Sequence, residues 1–221
     1  MIVAVEINAA MKKYAGRMAE ENVKGFKVYS IDLGDKILYV TQSGAGEIKA
    51  AACTQMLIDL FQVEIIINYG VVGALREELA VTNTCVVDRV VHYDRDTSAV
   101  DHCEAGRYLE YEGIYLQTTA DYVKAALSVD PSLKAVTCAS GDAFIADEAR
   151  KKELSARFDA DICDMESAAI VLICDRNSVP NLLIKTVSDS IRGGAEEFRS
   201  CVEKTADYCL AIADKVLNDI C

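Results

Sequence analysis

The 221-residue sequence has no tryptophan, only two prolines and only two histidines, His92 and His102. It also lacks an unbroken apolar run of the roughly eighteen residues that a membrane-spanning helix needs. The apolar residues 2–5 are too few for a secretory signal, and no basic residue precedes them. These absences predict a cytoplasmic protein that does not insert into membranes.

Positive charge is scarce as well. Lys and Arg number 23 against 35 Asp and Glu, which gives a formal net charge of −12. A field of that sign disfavours nucleic acids and anionic membrane surfaces as partners. We therefore expect a small-molecule ligand.

The nine cysteines are scattered, odd in number and without a C-x-x-C pair. This pattern argues against a zinc site and against a disulfide framework. Both histidines lie in a polar segment, which makes a Cys–His nucleophile pair a poor interpretation. We expect no metal and no organic cofactor.

What the sequence does contain is a series of short apolar segments that alternate with helical patterns, typical of one α/β domain over residues 1–221. The strands are predicted at 2–5, 25–30, 36–41, 63–68, 84–91, 114–118, 135–139 and 181–187. The helices are predicted at 9–20, 47–61, 120–128, 147–158, 167–175 and 195–218. A polar excursion covers 92–112, and small-residue loops follow strands at 43–46, 68–73 and 140–145.

Two acids stand where buried elements end. Glu166 follows a short apolar and acidic run and opens the helix at 167–175, and Asp189 closes the strand at 181–187. Ligands of open α/β sheets gather at the carboxyl ends of strands, so both acids are predicted to face one crevice. The alternative is that both are helix caps, because acids are favoured at helix N-termini.

The residues around this crevice suit a nucleoside. Phe144 offers a ring to stack on a base, Met165 lies beneath the sugar, and Glu166 accepts hydrogen bonds from ribose hydroxyls. A protonated Asp189 gives a proton to the departing base, while an ionised Glu166 favours the cationic sugar. The alternative for Phe144 is ordinary packing.

Several segments carry a resemblance to a known family. Residues 140–145 (SGDAFI), 164–169 (DMESAA) and 187–189 (VSD), with 65–70 (IIINYG) and 43–46 (SGAG), resemble motifs of the nucleoside phosphorylase/nucleosidase superfamily. The likeness is nearest to 5′-methylthioadenosine/S-adenosylhomocysteine nucleosidases, with purine nucleoside phosphorylases second. It implies a three-layer α/β/α sandwich with a central mixed sheet, and a homodimer or higher homo-oligomer.

The resemblance also implies residue roles. Phe144 stacks on the purine and Ile145 presents backbone groups to it, while Met165 and Glu166 hold the ribose. Asp189, supported by Ser188, protonates the purine at N7. Residues 92–100 reach the neighbouring subunit's site. The remaining predicted substrate-binding residues are Cys163, Val71, Gly73 and Lys185.

The sequence departs from the nucleosidase pattern in the half of the site that supplies the nucleophile. The glutamate expected to activate water aligns near Met11, Val71 replaces a serine, and Lys185 replaces an arginine. Asn68 stands where a phosphorylase would have a phosphate-binding arginine. Glu6, at the end of the first predicted strand, is the nearest carboxylate that could replace the missing base.

These observations favour hydrolysis of a purine nucleoside. The first alternative is a phosphorylase that binds phosphate through Lys185 or Arg192. The second is a nucleoside-binding protein that has lost turnover.

Overall fold

The computed structural model describes the backbone of residues 4–220 and the side chains of residues 7–219. The helices are α1 (Ala4–Lys13), α2 (Glu47–Phe61), α3 (Ser98–Asp101), α4 (Ala120–Val129), α5 (Glu148–Phe158), α6 (Ser167–Arg176) and α7 (Ala195–Ile220). The strands are β1 (Met18–Val23), β2 (Phe26–Asp32), β3 (Ile37–Thr41), β4 (Ile66–Ala74), β5 (Thr84–His92), β6 (Tyr115–Gln117), β7 (Lys134–Ser140), β8 (Ile162–Asp164) and β9 (Asn181–Asp189).

The N-terminal part differs from the sequence-based prediction. The strand predicted at 2–5 is wrong at Ala4 and Val5, which lie in α1, and residues 1–3 lie outside the described residues. The helix predicted at 9–20 is also wrong beyond Lys13. Gly16 has a φ of 75°, which an α-helix does not allow, and the chain from Met18 pairs with β2 instead. Pairing with a neighbouring strand outweighed the local helical pattern.

A small antiparallel sheet has the order β1-β2-β3. Its first turn is made by Lys24 and Gly25, which have φ values of 52° and 87° and connect Val23 directly to its partner Phe26. Positive φ at both central residues is the mark of a type I′ hairpin turn, whose twist matches that of the strands.

The main sheet has six strands in the order β6-β5-β7-β8-β4-β9, and an additional β5–β9 pairing closes it on itself. The mixed sheet is confirmed, because β4 runs parallel to β9 and antiparallel to β8. An open sheet was the wrong expectation. The predicted loop at 68–73 is wrong too, since its residues extend β4 to Ala74 and pair with β9.

Helices cover both faces of this sheet. On one face, α7 packs against β4 and β9, with α1 and α4 beside it. The hydrophobic core on this face includes Tyr14, Val86, Ile184, Cys209 and Val216. On the other face, α2 packs against α6. No helix among the described residues is long and apolar enough to cross a membrane.

A cavity of about 720 Å³ lies between the two sheets. Its walls come from β3, the start of β4, α2 and α7, and include Leu38, Ile67 and Leu210. None of the residues predicted to bind substrate lines it. The candidate site is therefore elsewhere, at the carboxyl ends of β4, β8 and β9.

The hairpin turn gives a test of the fold. Gly25→Ala should destabilise the protein by about 1 kcal/mol, because a Cβ is disfavoured at positive φ although it would meet nothing within 4 Å. Gly113→Ala is the matched control, since Gly113 also has open space around it but no positive φ. Urea unfolding measures both. Equal effects of the two substitutions would contradict the turn assignment.

Candidate active site

Three strands bring separate parts of the sequence together at Gly73. This residue of β4 pairs with Cys163 of β8 on one side and with Asp189 of β9 on the other. A Cβ built on Gly73 would lie 3.1 Å from Asp189 Oδ2 and 3.2 Å from Cys163 Sγ. Glycine is therefore what allows the carboxyl group and the thiol to approach the same backbone position.

Glu166 faces the loop that precedes α2. It follows β8 and occupies the N-cap position of α6, but its side chain does not cap the helix. Its Oε1 accepts a hydrogen bond from Gly46 N at 3.0 Å, and its Oε2 accepts one from Met165 N at 3.3 Å. The helix-cap alternative is wrong for this carboxylate. It is also wrong for Asp189, because the next helix begins at Ala195.

The loop after β7 joins the same region. Asp142 Oδ1 accepts a hydrogen bond from Glu47 N at 2.8 Å, which ties this loop to the start of α2. A Cβ on Gly194 would lie 3.2 Å from Ala146 O, so the loop after β9 passes beside the loop after β7. Contacts therefore connect the loops that follow β3, β7, β8 and β9.

The actual cap of α6 is Asp164, the last residue of β8. Its Oδ1 accepts from Ser167 N at 3.2 Å, and its Oδ2 accepts from Lys185 Nζ at 2.7 Å. Burial alone would raise the pKa of Asp164, but the Lys185 ammonium lowers it to about 2. Lys185 is itself buried in β9. It thus supports the region around Glu166 through Asp164, as one half of a buried ion pair.

Burial and the charge of Asp164 both act on Glu166. Burial is the larger cause and raises the pKa of Glu166, and the nearby Asp164 carboxylate raises it further. The ammonium of Lys185 and the hydrogen bond from Gly46 N oppose this shift. A carboxylate with these neighbours remains available as an acceptor of hydrogen bonds on its partly exposed side.

Sequence reasoning missed Glu47. This first residue of α2 is only 6% exposed, and its Oε1 accepts from Ser140 Oγ at 2.5 Å while Oε2 accepts from Ala169 N at 2.6 Å. Burial raises the pKa of Glu47 to about 8, against the effect of the Ser140 hydrogen bond and with a contribution from Asp164. The sequence showed only an acid in the first turn of a helix, which is ordinary on a protein surface.

Asp189 is more enclosed than Glu166, the other predicted catalytic residue whose side chain the structure describes, and has 1% of its surface exposed. Its Oδ1 lies 3.0 Å from Ser188 Oγ, and its Oδ2 lies 2.5 Å from Lys151 Nζ. Burial raises the pKa of Asp189, and the hydrogen bond and charge of Lys151 oppose that shift. Sequence reasoning missed Lys151 as well, because it lies in the charged run of α5 and resembled a surface lysine.

Phe144 is not a core residue. It is 44% exposed and meets Phe198 of α7 edge-on, with the ring centroids 5.3 Å apart. The packing alternative for Phe144 is therefore wrong. Ile145, next in the chain, is partly buried and packs against the cluster that contains Leu154. The pair presents an aromatic ring outward on an anchored backbone.

The residues expected near the nucleophile lie in β4 and α1. Val71 is half-buried in β4 opposite Thr186, and Asn68 is buried in the same strand. Met11 packs against the cluster between α1 and α7. Glu6 lies in α1 rather than at the end of a strand, and its side chain lies outside the described residues.

The polar segment after β5 lies beside the site. His92 Nε2 lies 2.9 Å from Asp94 Oδ1, and burial lowers the pKa of this histidine. Asp94 Oδ2 in turn accepts a hydrogen bond from Asp142 N at 2.9 Å. This segment is therefore attached to the loop that carries Phe144. Over residues 7–219, no group of three or more His, Cys, Asp or Glu side chains is arranged to hold a metal ion.

Fold and site together define a class. Residues 4–218 match the family model described as the phosphorylase superfamily. The chain belongs to this superfamily, as the resemblance of its motifs implied.

Particular members of the superfamily are similar over most of the chain. A 5′-methylthioadenosine/S-adenosylhomocysteine nucleosidase of Staphylococcus aureus is 31% identical over 201 residues, covering 89% of this chain and 88% of that protein. The Helicobacter pylori nucleosidase of the same description, solved in complex with a substituted pyrrolidinol, superposes with a TM-score of 0.93 at 24% identity, over 99% of this chain and 97% of that chain. A futalosine hydrolase of H. pylori superposes equally well, with a TM-score of 0.93 at 25% identity and the same coverage, 99% and 97%.

The buried Glu47 gives a prediction about stability. Its pKa is about 8 in the folded protein against an ordinary value of 4.5, so the folded state resists its ionisation. Stability should fall as pH rises through that window, because the folded state binds more protons than the unfolded state. Glu47→Gln should remove this pH dependence. The free energy of unfolding of the variant should therefore rise relative to that of wild type, by at most about 1.4 kcal/mol per pH unit.

Chemical unfolding at several pH values measures this gain. Glu196→Gln is the control, because Glu196 is also in the first turn of a helix but is exposed. A stability difference between Glu47→Gln and wild type that is the same at low and high pH would refute the assignment.

Proposed function

We propose that this protein is a cytoplasmic hydrolase of the N-glycosidic bond of purine nucleosides, similar in activity to 5′-methylthioadenosine/S-adenosylhomocysteine nucleosidases. One observation carries the proposal: Gly73 lies between Cys163 and Asp189, and Glu166 lies three residues after Cys163. Two acids distant in sequence are thereby held at one edge of the sheet, beside an outward-facing aromatic ring.

The base is assigned to the side of Asp189. Phe144 stacks on the purine, Ile145 offers its backbone groups, and Asp189 donates a proton to N7 as the bond breaks. Ser188 orients the carboxyl group from 3.0 Å. Cys163 and Gly73 form the floor, where the missing Cβ leaves room for the carboxyl group.

The sugar is assigned to the side of Glu166. Its carboxylate accepts hydrogen bonds from the ribose hydroxyls and stabilises positive charge on the sugar, while Met165 packs beneath the ring. Lys185 acts through Asp164, which fixes the start of α6 and thereby the backbone of Glu166. Val71 lines the region of the attacking water.

Cleavage then divides between the two acids. The bond between C1′ and the purine nitrogen breaks, its electron pair goes to the base, and the proton from Asp189 neutralises the base at N7. Water adds to C1′ and its proton passes to the solvent, which leaves free base and free sugar and allows Asp189 to take up a proton again. The two carboxyl groups take different roles because their surroundings differ: Asp189 is paired with a lysine, and Glu166 is held by backbone N–H groups.

The two candidate phosphate-binding cations are already paired with carboxylates, which favours hydrolysis over phosphorolysis. Lys185 is committed to Asp164 at 2.7 Å, and Arg192 lies on the surface with Glu77 at 2.7 Å and Glu148 at 4.0 Å. A phosphate would have to compete with these carboxylates for either cation. Neither side chain forms a ready phosphate cradle.

The proposal includes a homodimer in which residues 92–100 contribute to the neighbouring site. Val100 on α3 is 79% exposed and Ile48 on α2 is 80% exposed, so both aliphatic side chains are available to a partner. The 92–100 segment is attached to the Phe144 loop through Asp94. A second subunit seated here would cover the apolar side chains and place its own segment near the base.

Activity is tested with 5′-methylthioadenosine, adenosine and inosine, with and without phosphate, by following free base. We expect base release without phosphate, and a loss of about 10²- to 10⁴-fold in kcat/KM for Asp189→Asn, the range for removing a general acid. Asp121→Asn, an exposed acid on α4, is the control. Release only with phosphate would indicate a phosphorylase, and binding without release would indicate a binding protein.

Assembly is tested by sedimentation velocity. Val100→Asp should shift the protein from dimer toward monomer and weaken nucleoside turnover, because a charge is placed in the expected contact. Ile37→Asp, which changes an exposed aliphatic residue of β3, should do neither. A wild-type monomer at concentrations where turnover is full would contradict the proposed dimer.

A further inference from the structure

Lys151 has no exposed surface, which is rare for a lysine. It lies in α5, and its ammonium group reaches the end of β9, where Nζ lies 2.5 Å from Asp189 Oδ2. The next residue, Lys152, is exposed and pairs with Glu148 on the surface of the same helix. Two adjacent lysines thus have opposite environments, and only one of them contacts the proposed general acid.

All three N–H bonds of the Lys151 ammonium have acceptors. Besides Asp189, they are Ser190 O at 2.7 Å and Gly193 O at 3.1 Å. An ammonium group has three donors and no acceptor, so this arrangement satisfies it fully. A neutral amine would direct a lone pair at a carbonyl or carboxylate oxygen. Lys151 is therefore a fixed cation and does not itself deliver the proton to the base.

The other groups around Asp189 do not replace this charge. Ser188 on β9 is neutral, and the Cys163 thiol on β8 is held neutral because burial raises its pKa to about 12. Glu197 on α7 carries the same sign as Asp189 and accepts from Ser190 N at 2.6 Å. Lys151 is the one cation among these four neighbours, so it alone of them compensates the Asp189 carboxylate.

We infer that Lys151 is a positioning residue that favours the ionised form of Asp189 in the free protein and directs its Oδ1 toward the base, so that turnover declines at a lower pH than an unpaired Asp189 would permit. This inference rests on the proposed function, in which Asp189 must be protonated to act. Because the same ammonium binds Ser190 O and Gly193 O, it also fixes the loop after β9 against the acid.

The pH profile of kcat/KM tests this role. A general acid gives a basic limb where its proton is lost in the free enzyme. Lys151→Met should move that limb upward by about 1 to 3 pH units, the effect of an adjacent opposite charge on a carboxyl group. Lys151→Arg should restore the wild-type position of the limb, and Lys152→Met should not move it. A lower rate with an unmoved limb would mean a merely structural lysine and overturn the inference.

A second experiment needs no turnover. The unfolding of wild type, Lys151→Met, Asp189→Asn and the double variant forms a cycle whose coupling should grow as pH rises from about 5 to about 9. If Lys151→Met does not fold at neutral pH, acid or the added Asp189→Asn change should rescue it, since either removes an unpaired buried carboxylate.

The two failures are distinguishable. A wild-type protein that releases no base, but whose coupling depends on pH, refutes the proposed function and leaves the pairing intact. A coupling that is constant with pH, or a Lys151→Met protein rescued by neither change, refutes the inference whatever the activity.

Discussion

The arrangement of the site depends on the placing of two lysine ammonium groups inside the protein. Burying a charge costs several kcal/mol unless it is paired and hydrogen-bonded, so each ammonium dictates where a carboxylate must be. Lys185 holds Asp164, which starts α6 and sets the backbone of Glu166. Lys151 holds Asp189 at the end of β9. Separating either ion pair would leave a buried charge without its partner, so both pairs stabilise the candidate active site.

Much of the fold was predictable because local sequence patterns determine many of its helices and strands. The helix at 47–61 and the strand beginning at 181 follow from apolar periodicity and flanking turn residues, and both are present. The errors occur where long-range pairing decides. Met18 to Val23 contains few strand-forming residues and is a strand because β2 lies beside it. The closure of the main sheet through β5 and β9 has no local signal at all.

The candidate site divides in the same way. Glu166 and Asp189 were identifiable because each acid ends an apolar segment, where a charge has no place in ordinary packing. Glu47 and Lys151 were not identifiable, since charged residues in the first turns of amphipathic helices are common on surfaces. Their burial arises only when α2 meets α6 and when α5 meets the end of β9. The missing water-activating group is a separate matter, as the side chain of Glu6 lies outside the described residues.

The position of Gly73 has a consequence for how such a protein can change over time. Even one added methyl group there would lie within 3.2 Å of both the acid and the thiol of the site floor, a closer approach than carbon normally tolerates. New ligand preferences must therefore arise in the loops above, around Phe144 or the 92–100 segment, where side chains have space. The edge of the sheet should therefore stay constant among related proteins, while the surrounding loops vary.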